Sequence, residues 1–137
     1  MRPLVVLFTD GEDNGSWLGY ADLQLVAERS NALVHVVQWR PPLAFGAPLL
    51  PPRQTESEQE RALREIAEAA GGRFWNADSP ERLRQAFGAI ADAMGHRYVL
   101  RYEPTGVGGE GWHRIDARLR GVKGDVHVRR GYWLARY

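Results

Sequence analysis

Five consecutive apolar residues, Leu4-Val5-Val6-Leu7-Phe8, run directly into Thr9-Asp10-Gly11. A strand with one wet face alternates apolar and polar residues. A strand apolar on both faces belongs inside a parallel sheet with helices above and below it. A second such run, Leu33-Val34-His35-Val36-Val37, follows a segment in which Tyr20, Leu23, Val26 and Ala27 recur at helical spacing over residues 20–30. The pattern predicts a strand, a helix and a parallel strand.

The alternation continues. Residues 58–70 place Ala62, Leu63, Ile66, Ala67 and Ala70 on one helical face, and Gly71-Gly72 supply a left-handed stop. Arg73-Phe74-Trp75 reads as a short third strand. Ser79-Pro80-Glu81 is a strong helix start, an N-cap hydroxyl followed by proline at the first helical position. Leu83, Phe87, Ile90 and Met94 carry that helix to about residue 97. Between the second strand and the second helix, residues 41–52 hold five of the eight prolines, which excludes regular structure there. The string Pro48-Leu49-Leu50-Pro51 within them matches the PxxP ligand pattern, although a surface excursion explains it as well.

Beyond His96 the texture changes to period-two alternation broken by glycine, and the charge changes with it. Residues 1–95 hold 9 basic and 13 acidic groups, whereas residues 96–137 hold 9 and 4. The tail is expected to form an antiparallel β meander with strands over residues 98–103, 112–120 and 126–130. In the middle strand Ile115, Ala117 and Leu119 share one face and Arg114, Asp116, Arg118 and Arg120 the other. The fold expected is therefore α/β: a partial parallel sheet in residues 1–97 and a β appendage in residues 98–137.

Composition removes several function classes. The 137 residues are 44% hydrophobic and 26% charged, inside the globular range. A net charge of +1 supplies no global field toward nucleic acid or an anionic membrane, so no nucleic-acid partner is expected. The absence of cysteine excludes disulfides, a thiol nucleophile and a thiolate zinc site. No apolar run approaches the roughly 18 residues of a membrane span, and the opening apolar run meets Thr9-Asp10 before reaching signal-peptide length.

The informative segment is the polar loop Asp10-Gly11-Glu12-Asp13-Asn14-Gly15-Ser16 at the carboxyl end of the first strand, where open α/β sheets bind ligands. Its carboxylates are hard oxygen donors suited to Mg²⁺ or Ca²⁺. An EF-hand reading fails at its twelfth position, Ala21, where a bidentate Glu is needed. A metal-dependent hydrolase of the phosphohydrolase kind is the poorer reading, because Glu12 stands where a second Asp is expected and the chain's one lysine is Lys123. Gly106-Val107-Gly108-Gly109-Glu110-Gly111 has the spacing of a dinucleotide loop but is followed by strand pattern rather than a helix, so it reads as a hairpin loop. His35, His96, His113 and His127 show no metal-ligand spacing.

The stretch Leu4-Val-Val-Leu-Phe-Thr-Asp-Gly-Glu-Asp-Asn-Gly-Ser16 resembles the fourth strand of a von Willebrand factor type A domain and its Asp-Gly step. Ala27-Glu-Arg-Ser-Asn-Ala-Leu-Val34 and Ile66-Ala-Glu-Ala-Ala-Gly-Gly-Arg-Phe74 are similar to later blocks of that family, in the same order. Arg97-Tyr98, Tyr102-Glu-Pro104, Gly111-Trp-His-Arg-Ile115 and Arg130-Gly-Tyr132 resemble the β appendage of its bacterial subgroup. The resemblance implies a three-layer Rossmann-like sheet entered at strand four of six and a non-enzymatic, adhesion-type module that binds a protein ligand. It also implies the cell exterior or envelope, if an upstream signal exists. In the complete family domain a Mg²⁺, Mn²⁺ or Ca²⁺ site draws on Asp-x-Ser-x-Ser after the first strand, a threonine from a middle loop and the strand-four aspartate. Only Asp10 has a counterpart, with Gly11, Glu12, Asp13, Asn14 and Ser16 forming the binding rim. Metal binding by this chain is therefore expected to be weak or absent. A strand that is internal in the family but lacks its neighbour exposes an edge, so self-association through residues 4–8 is expected.

Overall fold

The computed structural model describes residues 3–12, 15, 17–40, 56–103, 105, 106 and 108–134. Asp13, Asn14 and Ser16 of the expected rim and the proline-rich loop with its PxxP string lie outside the described residues. Among the described residues eight elements follow in order: β1 (Leu4–Thr9), α1 (Tyr20–Arg29), β2 (Leu33–Trp39), α2 (Glu58–Ala69), β3 (Phe74–Ala77), α3 (Pro80–Gly95), β4 (Gly111–Arg114) and β5 (Gly131–Leu134). The molecule is mixed α/β, with a three-stranded sheet and a two-stranded sheet.

The first sheet is parallel throughout and ordered β1-β2-β3. Leu4 stands opposite Leu33 and Phe8 opposite Val37, while Val37 stands opposite Trp75. β2 lies in the middle, and successive residues of a strand face opposite sides. Val37 packs with Ala77, Ala86 and Ile90, which brings in α3, and Val36 packs with Leu63 and Ala67 of α2. Both valines are fully buried. Helices therefore cover the two faces of β2. Ala27 of α1 extends the α2 side by packing on Ile66 and Ala70, with Tyr20, Leu23 and Val34 alongside.

Local chemistry sets the element ends. The Ser57 hydroxyl accepts from the Glu60 amide at 3.2 Å, and the Glu60 carboxylate accepts from the Ser57 amide at 3.0 Å, a reciprocal cap for α2. The Ser79 hydroxyl accepts from the Arg82 amide at the start of α3. α2 ends in a Schellman turn, in which the Gly72 amide donates to Ala67 and the Gly71 amide to Glu68, with Gly71 at φ +77°. α1 stops at Arg29 rather than continuing through residue 30, because Ser30 is extended and its hydroxyl accepts from the Ala32 amide.

The appendage departs from the expected meander. Its ladder pairs β4 with β5 in antiparallel register, Trp112 opposite Trp133 and His113 opposite Tyr132. Residues 98–103 form no strand, and the last strand is residues 131–134 rather than 126–130. Close backbone approach explains the shift. Gly131 lies where a Cβ would be 2.4 Å from the His113 carbonyl oxygen, so the two strands meet closely at the glycine. Tyr132 stacks on His113 at a centroid distance of 5.3 Å and meets Tyr102 edge-on at 6.1 Å. Tyr98, Val99 and Leu100 remain exposed, and alternation by itself forms no strand without a backbone partner.

Candidate functional site

The carboxyl end of β1 is a braced turn. Gly11 takes φ +88° and is buried, and its amide donates to the Thr9 hydroxyl at 3.0 Å. The Glu12 amide donates to Asp10 Oδ1 at 3.0 Å, an Asx-type turn that fixes the Asp10 carboxylate against its own backbone. Asp10 and Glu12 are both exposed. From the neighbouring strand, Gln38 Nε2 donates to the Asp10 carbonyl at 3.2 Å. Gln38 is among the largest fully buried side chains of the protein, and a Cβ at position 11 would lie 2.0 Å from its Nε2. Glycine is needed there for its conformation and for its lack of a side chain.

Sequence reasoning missed Gln38. The available signal was a single amide residue directly after the apolar run of β2, where burial demands a polar partner. Its Oε1 is buried without a hydrogen-bond partner among the described residues.

A second polar group lies at the same end of the sheet. Glu60, buried at the start of α2, accepts from the Ser57 amide, from Asn76 Nδ2 at 2.8 Å and from Arg40 Nη1 at 3.2 Å. Arg40 follows β2 and Asn76 sits in β3, so this carboxylate joins a helix start to two strand ends. Its bonding capacity is spent on structure.

At the opposite end of the sheet, the Arg73 amide donates to Nδ1 of buried His35 at 3.0 Å, which assigns the neutral ring's proton to Nε2. The His35 ring packs on Trp75 at 5.2 Å. Burial, then the Arg73 charge, hold His35 below the usual histidine value. His127 contacts Arg73 Nη2 and is lowered by the same two causes. His35 is thus a buried packing residue of the sheet.

Two basic residues of the tail, Arg129 and Arg130, reach the α/β body. Arg129 Nη2 donates to the Glu28 carbonyl at 2.6 Å, at the carboxyl end of α1, where a cation also meets the helix dipole. Arg130 pairs with Glu68, and the Arg29 guanidinium lies 4.9 Å from the centre of the Trp133 ring. A shallow cleft of about 160 Å³ lies beside these contacts, lined by Glu68, Gly72, Val126, His127, Val128 and Arg130.

No group of three or more His, Asp or Glu residues able to hold a metal ion occurs among the described residues. Of the expected rim, the structure brings together Asp10, Gly11 and Glu12. No helix among the described residues is long and apolar enough to cross a membrane. No family model and no curated protein matches the chain. The crystal structure of an uncharacterized membrane-spanning protein from Vibrio fischeri is similar, at 21% identity and a TM-score of 0.48, over 69% of this chain and 47% of its own. The chain spans about half the length of that structure.

Proposed function

We propose that this chain is a non-enzymatic, adhesion-type protein-binding module, the later part of a von Willebrand factor A-like domain with a three-layer Rossmann-like sheet. β1, β2 and β3 correspond in this reading to the last three strands of that sheet, and residues 98–137 to the β appendage of the bacterial subgroup. One observation carries it. The Asp10-Gly11 step stands at the carboxyl end of a parallel strand and is held in a fixed turn by a buried side chain of the adjacent strand. A fixed exposed carboxylate beside Glu12 forms the rim that a protein ligand meets, and no residue is assigned a catalytic role.

The described donors of the rim, Asp10 and Glu12, do not by themselves fit a resident Mg²⁺, Mn²⁺ or Ca²⁺. Asp10 Oδ1 already accepts from the Glu12 amide, and no cluster of three ligating residues occurs among the described residues. Mg²⁺ held by one carboxylate keeps most of its water and gains little selectivity. In this reading the rim binds its ligand without a tightly held ion.

Selection of peptides from a random library on the immobilised protein tests the rim. Enriched peptides that lose binding to the Asp10→Lys variant support the reading, and peptides indifferent to that change refute it. Calorimetric titration with Mg²⁺ and Mn²⁺ tests the metal statement. Absent or millimolar affinity, unchanged in Asp10→Ala, is expected, and tight Asp10-dependent binding overturns it.

A second reading, a metal-independent structural piece of an envelope or secreted assembly, draws on the appendage, where the basic face of Arg114, Arg118 and Arg120 and the side chains of Tyr98, Val99 and Leu100 are exposed. Under it, peptide capture maps to the exposed side of residues 98–102 and not to Asp10.

A further inference from the structure

The appendage meets the α/β body at the Gly71-Gly72 turn that ends α2. A Cβ on Gly71 would lie 2.6 Å from the Arg129 amide nitrogen, so backbone rests on backbone there. Around that contact Arg129 bonds the Glu28 carbonyl, Arg130 pairs with Glu68, and Arg29 lies over the Trp133 ring. The two sheets share no strand pairing among the described residues. Docking of the appendage therefore rests on side chains, each weaker than a continuous ladder.

Arg73 follows that turn and joins the central strand to the appendage. Its amide donates to Nδ1 of His35 in β2 at 3.0 Å, and its guanidinium Nη2 contacts Nε2 of His127. A guanidinium only donates, so His127 Nε2 is the acceptor and its ring is neutral, with the proton on Nδ1. A proton on Nε2 removes the acceptor and sets a second cation against Arg73. The charged and titratable groups around His127 are Arg73 at the turn, His35 behind it on β2, Glu68 at the end of α2, and Asp125 and Arg130 on its own segment. Glu68 is engaged by Arg130, and the Asp125 carboxylate acts on His127 less strongly than Arg73 does. His127 is exposed, so protons reach it from solvent.

From this cluster we infer that His127 is an acid-operated latch, whose protonation against Arg73 releases residues 126–134 from α1 and α2 while the α/β body stays folded. Docked, His127 is held below the usual histidine value, first by burial and then by the Arg73 charge. Released, the ring sits in water and takes up the proton more readily. Docking is therefore strongest above about pH 6.5 and weakens as pH falls below it. At pH 5.5, about one unit below the free value, a docked form that refuses the proton loses up to about tenfold in its docking equilibrium. His35 stays behind in the sheet, so protonation at His127 acts on docking and protonation at His35 acts on the body. Release uncovers the Gly71-Gly72 turn and the Glu28 carbonyl, and it frees the Glu68 carboxylate. The inference is independent of the ligand reading at Asp10.

The chain's lack of cysteine lets two pH-insensitive dyes be placed on introduced thiols. Gln85→Cys on α3 and Lys123→Cys in the appendage are both at exposed positions. Energy transfer between them, measured on the full chain, is expected to stay constant from pH 8 to pH 7. By pH 5.5 the undocked population is expected to rise by up to about tenfold, while circular dichroism shows the helices retained. His127→Gln, which stays uncharged, is expected to hold transfer at its pH 7.5 level throughout; the exposed position leaves folding intact. Transfer in the parent chain that does not change between pH 7.5 and pH 5.5 overturns the inference, as does an undiminished response in His127→Gln. Loss of the helix signal in step with the loss of transfer also overturns it, because the body then unfolds rather than letting the appendage go.

Discussion

Gln38 Nε2 donates to the Asp10 carbonyl at 3.2 Å and occupies the space that a Cβ on Gly11 would need. The same buried amide therefore holds the β1 turn in place and dictates glycine at its bend. The rim is an extension of the sheet.

That relationship predicts non-additive energetics. Gly11→Ala places a methyl group at φ +88°, a conformation costing roughly 1–2 kcal/mol for an L residue, and drives Gln38 from its position. Gln38→Ala alone removes the hydrogen bond and leaves a gap, costing about 1–3 kcal/mol. In the double variant the conflict between the two side chains is gone. Its loss, read by urea denaturation, is expected to fall short of the sum by about 0.5–2 kcal/mol. Additive losses contradict the contact.

Gly72 is required for a different reason. A Cβ there lies 1.8 Å from the Val34 carbonyl oxygen, a backbone atom of the central strand that cannot turn aside. Gly72→Ala is expected to cost about 1–3 kcal/mol, lowering the thermal midpoint by several degrees. A midpoint within a degree of the parent's shows that the helix end has room to move.

Glu60 accepts from Ser57, Asn76 and Arg40 in a buried setting. Glu60→Ala strands the Asn76 and Arg40 donors and removes half of the α2 cap, for an expected loss of about 1–3 kcal/mol. Glu60→Gln, which keeps an acceptor, is expected to lose less. Equal losses in the two variants refute a hydrogen-bonding role.

Stability should depend on pH through His35. Its folded value lies below the usual 6.5, first because of burial and then because of the Arg73 charge. The unfolded state thus takes up protons first as pH falls, and the neutral ring's stabilisation is present above about 6.5 and lost below it, down to the folded value. His127 shifts in the same direction and adds to the slope. Thermal melts between pH 8 and pH 5 are expected to show a falling midpoint below about 6.5. The fall should be shallower in His35→Gln. An unchanged profile in that variant assigns the dependence elsewhere.

Much of the α/β body was legible in the chain itself. The apolar runs at Leu4 and Leu33, the helical spacing of Leu63, Ile66 and Ala70, the caps at Ser57 and Ser79 and the Gly71-Gly72 stop are local signals, and the elements form where those signals stand. Period and capping act over a few residues, so one stretch of sequence contains all the information they need. The tail was less legible. Alternation over residues 98–103 and 126–130 satisfied the strand pattern, but pairing is a property of two segments, and among the described residues of the tail the ladder forms between residues 111–114 and 131–134.

Sequence by itself determined that this chain builds a parallel sheet with an acidic turn at one strand's end, because apolar periodicity and turn chemistry are local. Tertiary structure decided which strand lies at the edge among the described residues, which buried side chain braces Asp10, and that Arg129 bonds the end of α1 and Arg130 pairs with Glu68 of α2. Those outcomes depend on contacts between residues far apart in the chain, from the 28 positions separating Gln38 and Asp10 to the 101 separating Arg129 and Glu28. No periodicity records such distances; they are set when the packed faces leave each polar group a single place to find its partner.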